Sequence, residues 1–222
     1  MLMINPTLDT ELALFQKGHR IIVGLDEVGR GSWAGPVTAA AVALPLEREN
    51  LLAELAGVRD SKQLAPRRRE QLLPLIRRAA LAIGIGYVSA ADIDRIGIVP
   101  ATRQAMALAL AEIDLHPDYL LIDALRLPAI RIPQLALPKG DAKCLCIAAA
   151  SIVAKVARDQ FMVAQEASYP GYGFAAHKGY GTARHRAALD QLGPCPIHRL
   201  SFAPLREQTR ADEKTLKVSE NL

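Results

Sequence analysis

Two patterns of apolar positions organise this chain. Short, nearly continuous apolar runs end in an acid or a glycine, and longer runs carry the three-to-four spacing of helices. Residues 21–26 are β-branched and apolar as far as Leu25, which predicts a buried strand. A turn rich in glycine and small residues spans 29–36, and 37–44 reads as a second strand, antiparallel to the first. Residues 45–54 connect to a charged helix over 66–80, for which Asp60 or Ser61 is the candidate cap. A third strand is expected at 82–88, a helical segment at 89–94 and an alanine-rich helix at 101–113. Residues 119–123 form a short apolar strand ending in an acid, and 131–137 a weaker strand. A long helix over 147–166, small and apolar on one face, precedes a glycine- and aromatic-rich loop at 169–181 and a helix at 182–192. The order predicts an α/β fold: a mixed sheet flanked by helices, with an antiparallel hairpin at one side and a small helical C-terminal part. Residues 1–18 read as an N-terminal arm, 19–206 as one domain, and 207–222 as a polar tail expected to be flexible.

Bulk composition narrows the class. Half of the 222 residues are hydrophobic and 23% are charged, so a substantial core can be buried. A formal net charge of +4 is compatible with a polyanionic partner. The three cysteines are odd in number, with Cys144 and Cys146 at a helix entry and Cys195 in Gly-Pro-Cys-Pro. That spacing fits neither a disulfide framework nor a zinc site. No basic-then-apolar leader and no spanning apolar run is seen, so a soluble, cytoplasmic, reduced protein is expected.

The chemistry concentrates at strand ends. Asp26 and Glu27 lie side by side where the first strand reaches the surface, and a divalent cation would relieve their repulsion. A solvated turn is the plainer reading of such a pair. Gly29-Arg30-Gly31 follows at once, a cation between two residues that admit positive φ and close approach to a ligand. It is not a nucleoside-triphosphate loop, because neither G-x-x-x-x-G-K-[ST] nor G-x-G-x-x-G occurs. Asp123 ends the 119–123 strand, and would meet Asp26 if the two strands were neighbours. Asp141, just before the long helix, is either a dipole-favoured helix-start residue or a fourth carboxylate over the same site. Asp159 lies deep in that helix and reads as an i,i+4 partner instead. Four carboxylates suit two-metal hydrolysis of a phosphodiester, and no G-x-S-x-G offers a serine alternative.

Six blocks in order carry a resemblance: D-E-V-G-R-G-S-W-A-G-P-V, D-S-K-Q-L, L-L-I-D-A-L, K-G-D-A-K with A-A-A-S-I-V-A-K-V-A-R-D, H-K-G-Y-G-T, and P-I-H-R-L-S-F. Spanning about residues 20–204, they resemble ribonuclease HII, the type 2 ribonuclease H family. The resemblance implies a ribonuclease H-like fold and a metal-dependent endoribonuclease. Such an enzyme hydrolyses the RNA strand of RNA–DNA hybrids and nicks DNA 5′ of embedded ribonucleotides, leaving 5′-phosphate and 3′-hydroxyl ends. It implies Asp26, Glu27 and Asp123 as ligands of Mg²⁺ or Mn²⁺, with Asp141 as the fourth catalytic acid. It also implies Gly29, Arg30 and Gly31 as readers of the ribose 2′-hydroxyl, and Tyr180 as the ring at the RNA-to-DNA junction. Lys62, Ser151, Lys155, His177 and Lys178 are candidate substrate contacts, each with an ordinary reading as a cap or solvated charge. His198-Arg199 is assigned a supporting role.

Arg30, and a first strand that begins near residue 21, favour type 2 over type 3, whose pattern has Gly-Lys-Gly and an extra N-terminal domain. Gly97 stands where the family pattern suggests Asn, at an expected turn. The tail lacks the aromatic box of clamp-binding members, so no sliding-clamp partner is expected, and the chain reads as a monomer. The competing classes are a non-catalytic nucleic-acid-binding module and a DNA junction nuclease of the same fold. The first would lack one of the acids, and the second would need no 2′-hydroxyl reader.

Overall fold

The computed structural model describes residues 5–206. The polar tail expected at 207–222 lies outside the described residues. Among the described residues, strands β1 (Ile22–Val28), β2 (Val37–Ala43), β3 (Ala82–Val88), β4 (Tyr119–Asp123) and β5 (Gln134–Leu137) form one sheet. Its order is β3-β2-β1-β4-β5. β1 pairs antiparallel with β2 and parallel with β4, so the hairpin lies on one side of β1 and a parallel half on the other.

Both faces of the sheet are covered, which is why β1 and β2 read as continuous apolar runs. On one face, Ile22, Val28, Ala40, Val42 and Leu121 pack under α6 (Leu145–Ser168), with α3 (Pro66–Ala79) behind it. On the other, Val23, Leu25, Ala39, Ala41, Leu120 and Ile122 pack under α5 (Ile98–Ala111), which follows the short α4 (Ala90–Ile96). The period of two then gives Asp26 and Asp123 the parity of the α6 face. A third small core of Ala34, Met162, Tyr172, Phe174, Ala188 and Leu189 joins α7 (Phe174–His177) and α8 (Ala183–Leu192) to the far half of α6. This is the expected helical C-terminal part.

Several boundaries differ from expectation. The loop at 169–181 contains the one-turn α7, and the connector at 45–54 contains α2 (Leu51–Glu54). Asp60 does cap, but it caps a 3-10 turn, Ser61–Gln63, by accepting from the Lys62 N–H. α3 starts at Pro66 as expected, but with no side-chain cap, where a proline's missing N–H costs nothing. α5 begins three residues before the predicted start because Pro100 sits in its first turn. Gly97 is the expected turn, with φ +82° at the α4–α5 junction.

The N-terminal segment is docked. Helix α1 (Asp9–Gln16) buries Glu11, whose Oε1 accepts from the Cys146 N–H at 3.0 Å. Cys144 offers α6 no side-chain cap of its own, so Glu11 caps it from a distance. Glu11→Ala should therefore cost about 1–2 kcal/mol in urea denaturation, whereas Glu11→Gln, which keeps the acceptor without the buried charge, should not. Equal losses in the two variants would contradict the cap.

Candidate active site

Parallel pairing of Leu25 with Ile122 carries Asp26 and Asp123 past the same edge of the sheet. Asp26 is 2% exposed, and its Oδ1 accepts the Glu27 N–H at 2.7 Å. Burial pushes its carboxyl well above the usual range, and the charges of Glu27, Asp123 and Asp141 push it further. Glu27 is raised by burial and partly relieved by Arg30, whose Nη1 lies 3.3 Å from Oε1. Its other oxygen, Oε2, is buried with no hydrogen-bond partner.

Asp123 Oδ1 accepts the Gly140 N–H at 2.7 Å, which ties the end of β4 to the 3-10 turn Gly140–Ala142. That turn carries Asp141 into the site. Its carboxyl is pushed up to about 6 by burial, then by the charges of Asp60 and Asp123. Lys62 faces the group from the Ser61–Gln63 turn. Burial alone would depress its ammonium, but Asp26, Asp60, Asp141 and Asp123 outweigh that and hold it above the usual lysine value.

These groups fit a divalent cation by donor chemistry: hard carboxylate oxygens, one of them buried and unpartnered, in mutual repulsion. The carboxylates sense one another without forming a ready-made cage. Among the described residues no three His, Cys, Asp or Glu side chains stand in ligand geometry.

The glycine–arginine turn is held from beneath. Gly29 has φ +90°, and a Cβ there would strike the guanidinium of Arg158. Gly31 differs: its φ is not positive, and a Cβ would meet nothing within 4 Å. Neither backbone nor packing demands glycine at 31. Arg158 donates to Pro36 O (2.8 Å), Ala34 O (3.0 Å) and Lys178 O (2.9 Å). Arg199 donates to Gly35 O from Nε (3.0 Å) and Nη2 (2.9 Å), and to Arg30 O (2.9 Å). Both are fully buried with only carbonyls as hydrogen-bond partners, and burial pushes Arg199 down to about 9. The expected supporting role of His198-Arg199 agrees with this placement.

Tyr180 lies between this loop and α6, with Lys155 Nζ and Arg158 Cζ each 5.3 Å from its ring centre. Lys155 also bonds Asp159 at 2.7 Å, the i,i+4 pair expected for that acid, and Asp159 meets Arg69 at 3.5 Å. The remaining candidates point elsewhere. Ser151 is buried and donates to Ser61 Oγ at 2.7 Å. His177 is buried, bonded to Tyr172 O (2.8 Å) and to the Gly179 N–H (3.1 Å). Lys178 has φ +53° and donates to Ala175 O. The sequence marks Asp60 only as a cap, not as a member of this acidic group, and does not mark Arg158 at all. A carboxylate one residue before Ser61-Lys62, and an arginine among small apolar residues of a helix, were the available signals.

A family model described as ribonuclease HII matches residues 23–205. The chain belongs to the ribonuclease HII family.

Ribonuclease HII of Roseiflexus castenholzii is 52% identical over 210 residues, covering 93% of this chain and 92% of that protein. Ribonuclease HII of Chloroflexus aggregans is 53% identical over 207 residues, covering 92% and 96%. Among solved structures, the ribonuclease H2 of Pyrococcus horikoshii superposes with a TM-score of 0.71 at 25% identity, over 84% of this chain and 96% of that one. As a ribonuclease HII this chain is an endoribonuclease, a hydrolase, which removes the non-catalytic binding module from consideration.

The raised carboxyl of Asp141 has a stability consequence. A folded pKa above the unfolded one favours the native state below about pH 3.8, and that contribution is lost as pH rises through about 6. In chelator, Asp141→Asn should therefore be more stable than wild type by on the order of 1–2 kcal/mol at pH 7.5, with little advantage at pH 4. Thermal melts at both pH values test this, and a pH-independent difference would contradict it.

Proposed function

We propose that this ribonuclease HII is a divalent-metal-dependent nuclease that cleaves the RNA strand of RNA–DNA hybrids and nicks DNA on the 5′ side of embedded ribonucleotides. The observation that carries the reading is the convergence of Asp26, Glu27, Asp123 and Asp141 on one edge of the sheet, beside the Gly29-Arg30-Gly31 turn. In this reading Asp26, Glu27 and Asp123 hold the cation, and Asp141 completes the acidic rim. The chemistry that bound Mg²⁺ or Mn²⁺ supplies is activation of a water and stabilisation of the leaving oxygen, giving 5′-phosphate and 3′-hydroxyl ends. Lys62 offers its ammonium to the phosphate oxygens. Arg30 grips the neighbouring phosphate, and the backbone at Gly29 and Gly31 approaches the 2′-hydroxyl, the one group that separates RNA from DNA there. Tyr180 presents its ring at the RNA-to-DNA junction. Lys155, Lys178, Ser151 and His177 support that surface.

The preference for a ribose distinguishes this from a DNA junction nuclease, which has no use for a backbone reader. The protein works as a monomer on genomic DNA in the cytoplasm, in ribonucleotide removal. No helix among the described residues is long and apolar enough to cross a membrane.

Asp123→Asn should abolish hybrid cleavage, by at least about a thousand-fold, while hybrid binding measured in chelator holds within a few-fold. Activity within ten-fold of wild type would exclude Asp123 as a ligand. Gly31→Ala should leave the melting temperature unchanged, because its Cβ meets no protein atom, yet reduce cleavage by at least about ten-fold through loss of close approach. Full activity in that variant would remove Gly31 from the reader.

A further inference from the structure

Behind Tyr180 lies a buried pair of histidines that the chemistry above does not use. His185, on α8, is fully buried, and His198 is 2% exposed. Their Nε2 atoms face each other at 3.0 Å, a hydrogen-bond distance. One must donate and the other accept, and the surroundings decide which. The Cys195 N–H donates to His198 Nδ1 at 2.9 Å, so that nitrogen carries a lone pair. Cys195 O, 3.2 Å from the same nitrogen, already accepts the His198 N–H at 2.9 Å. The His198 proton therefore sits on Nε2 and is given to Nε2 of His185. His185 then carries its own proton on Nδ1, which donates to Tyr180 O at 3.0 Å. The chain of donors runs one way, from Cys195 through His198 and His185 to Tyr180.

The environment keeps both rings neutral. Phe174 lies 5.6 Å from each, Trp33 5.4 Å from His185 and Tyr172 5.1 Å from His198. His177 stacks on His185 at 4.3 Å with its own bonds directed to Tyr172 and Gly179. Burial pushes His185 and His198 each down to about 4.

We propose that His185 and His198 are positioning residues, whose fixed tautomers lock the main chain of Tyr180 and so aim its ring at the sugar that follows the ribonucleotide. The lock is double-sided, because the Tyr180 N–H is held by His177 O at 2.9 Å. It also joins the two readers. His198 forms an isolated β-bridge with Ala34, and the next residue, Arg199, donates to Arg30 O. Gly179, next to Tyr180, accepts from the Trp33 N–H at 2.8 Å. The ribose reader and the junction ring are thus hung on one short segment, 195–199. The inference rests on the junction role given to Tyr180 above.

The test compares kcat/KM on a duplex with a single ribonucleotide against kcat/KM on a hybrid with an all-RNA strand, for wild type, Tyr180→Ala, His185→Leu and the double variant. The ratio should fall roughly ten-fold in each single variant, and the double should fall no further than Tyr180→Ala. Equal loss on both substrates in a folded His185→Leu would overturn the relay. Ring ¹⁵N NMR of the wild type decides independently of any variant's folding. His185 protonated on Nδ1 and His198 on Nε2 at neutral pH support the relay, and the opposite tautomer in either ring overturns it. Stated tautomers with an unchanged ratio in Tyr180→Ala would keep the relay and remove the junction role.

Discussion

Like charges brought together out of water repel strongly, and the centre of this protein is built on that repulsion. Asp26 is buried within reach of the charges of Glu27, Asp123 and Asp141, and Asp141 also faces Asp60. Lys62 is the cation that all of Asp26, Asp60, Asp123 and Asp141 act on, and Arg30 attends to one oxygen of Glu27. A fold selected only for stability would not assemble such a group. The sheet makes it unavoidable: parallel pairing of β1 with β4 delivers two acids to one edge, and the Gly140 N–H to Asp123 bond pulls in a third. Such repulsion would be relieved by a divalent cation.

A few residues away the imbalance has the opposite sign. Arg158 and Arg199 are buried with carbonyls rather than carboxylates as hydrogen-bond partners, beneath the turn that carries Arg30. Carbonyl dipoles satisfy their N–H groups without forming an ion pair, although Asp159 and Asp94 act on them from farther off. The buried face is therefore bipolar, acids at the strand ends and guanidiniums under the neighbouring loop. This layout would suit a phosphodiester, whose negative oxygens would need a cation beside the acids and a positive potential along the flanking backbone.

Much of this was legible in the sequence because it is local. An apolar strand broken or ended by an acid announces itself, so Asp26, Glu27 and Asp123 could be named from their neighbours, Arg30 from its flanking glycines and Asp141 from the helix it precedes, while family order supplied Tyr180. The sheet's hairpin and the long helix followed from periodicity alone. What could not be read is which face of a helix meets a distant loop. Nothing in Ala-Arg-Asp says that Arg158 reaches Ala34 and Pro36, more than a hundred residues earlier in the chain. Asp60 reads as a cap and is one, yet its second role, facing Asp141, depends on how the Ser61–Gln63 turn docks on α6. Ser151 and His177 look like polar candidates on a functional segment. Their burial against Ser61, Tyr172 and Gly179 comes from tertiary packing that no short window contains.

The most direct measurement is a nicking assay on a DNA duplex carrying one ribonucleotide, in Mg²⁺, in Mn²⁺ and in chelator, with an all-DNA duplex beside it. A single metal-dependent nick on the 5′ side of the ribonucleotide and an intact all-DNA control are expected. Cleavage in chelator, or cleavage of both duplexes, would contradict the proposed function.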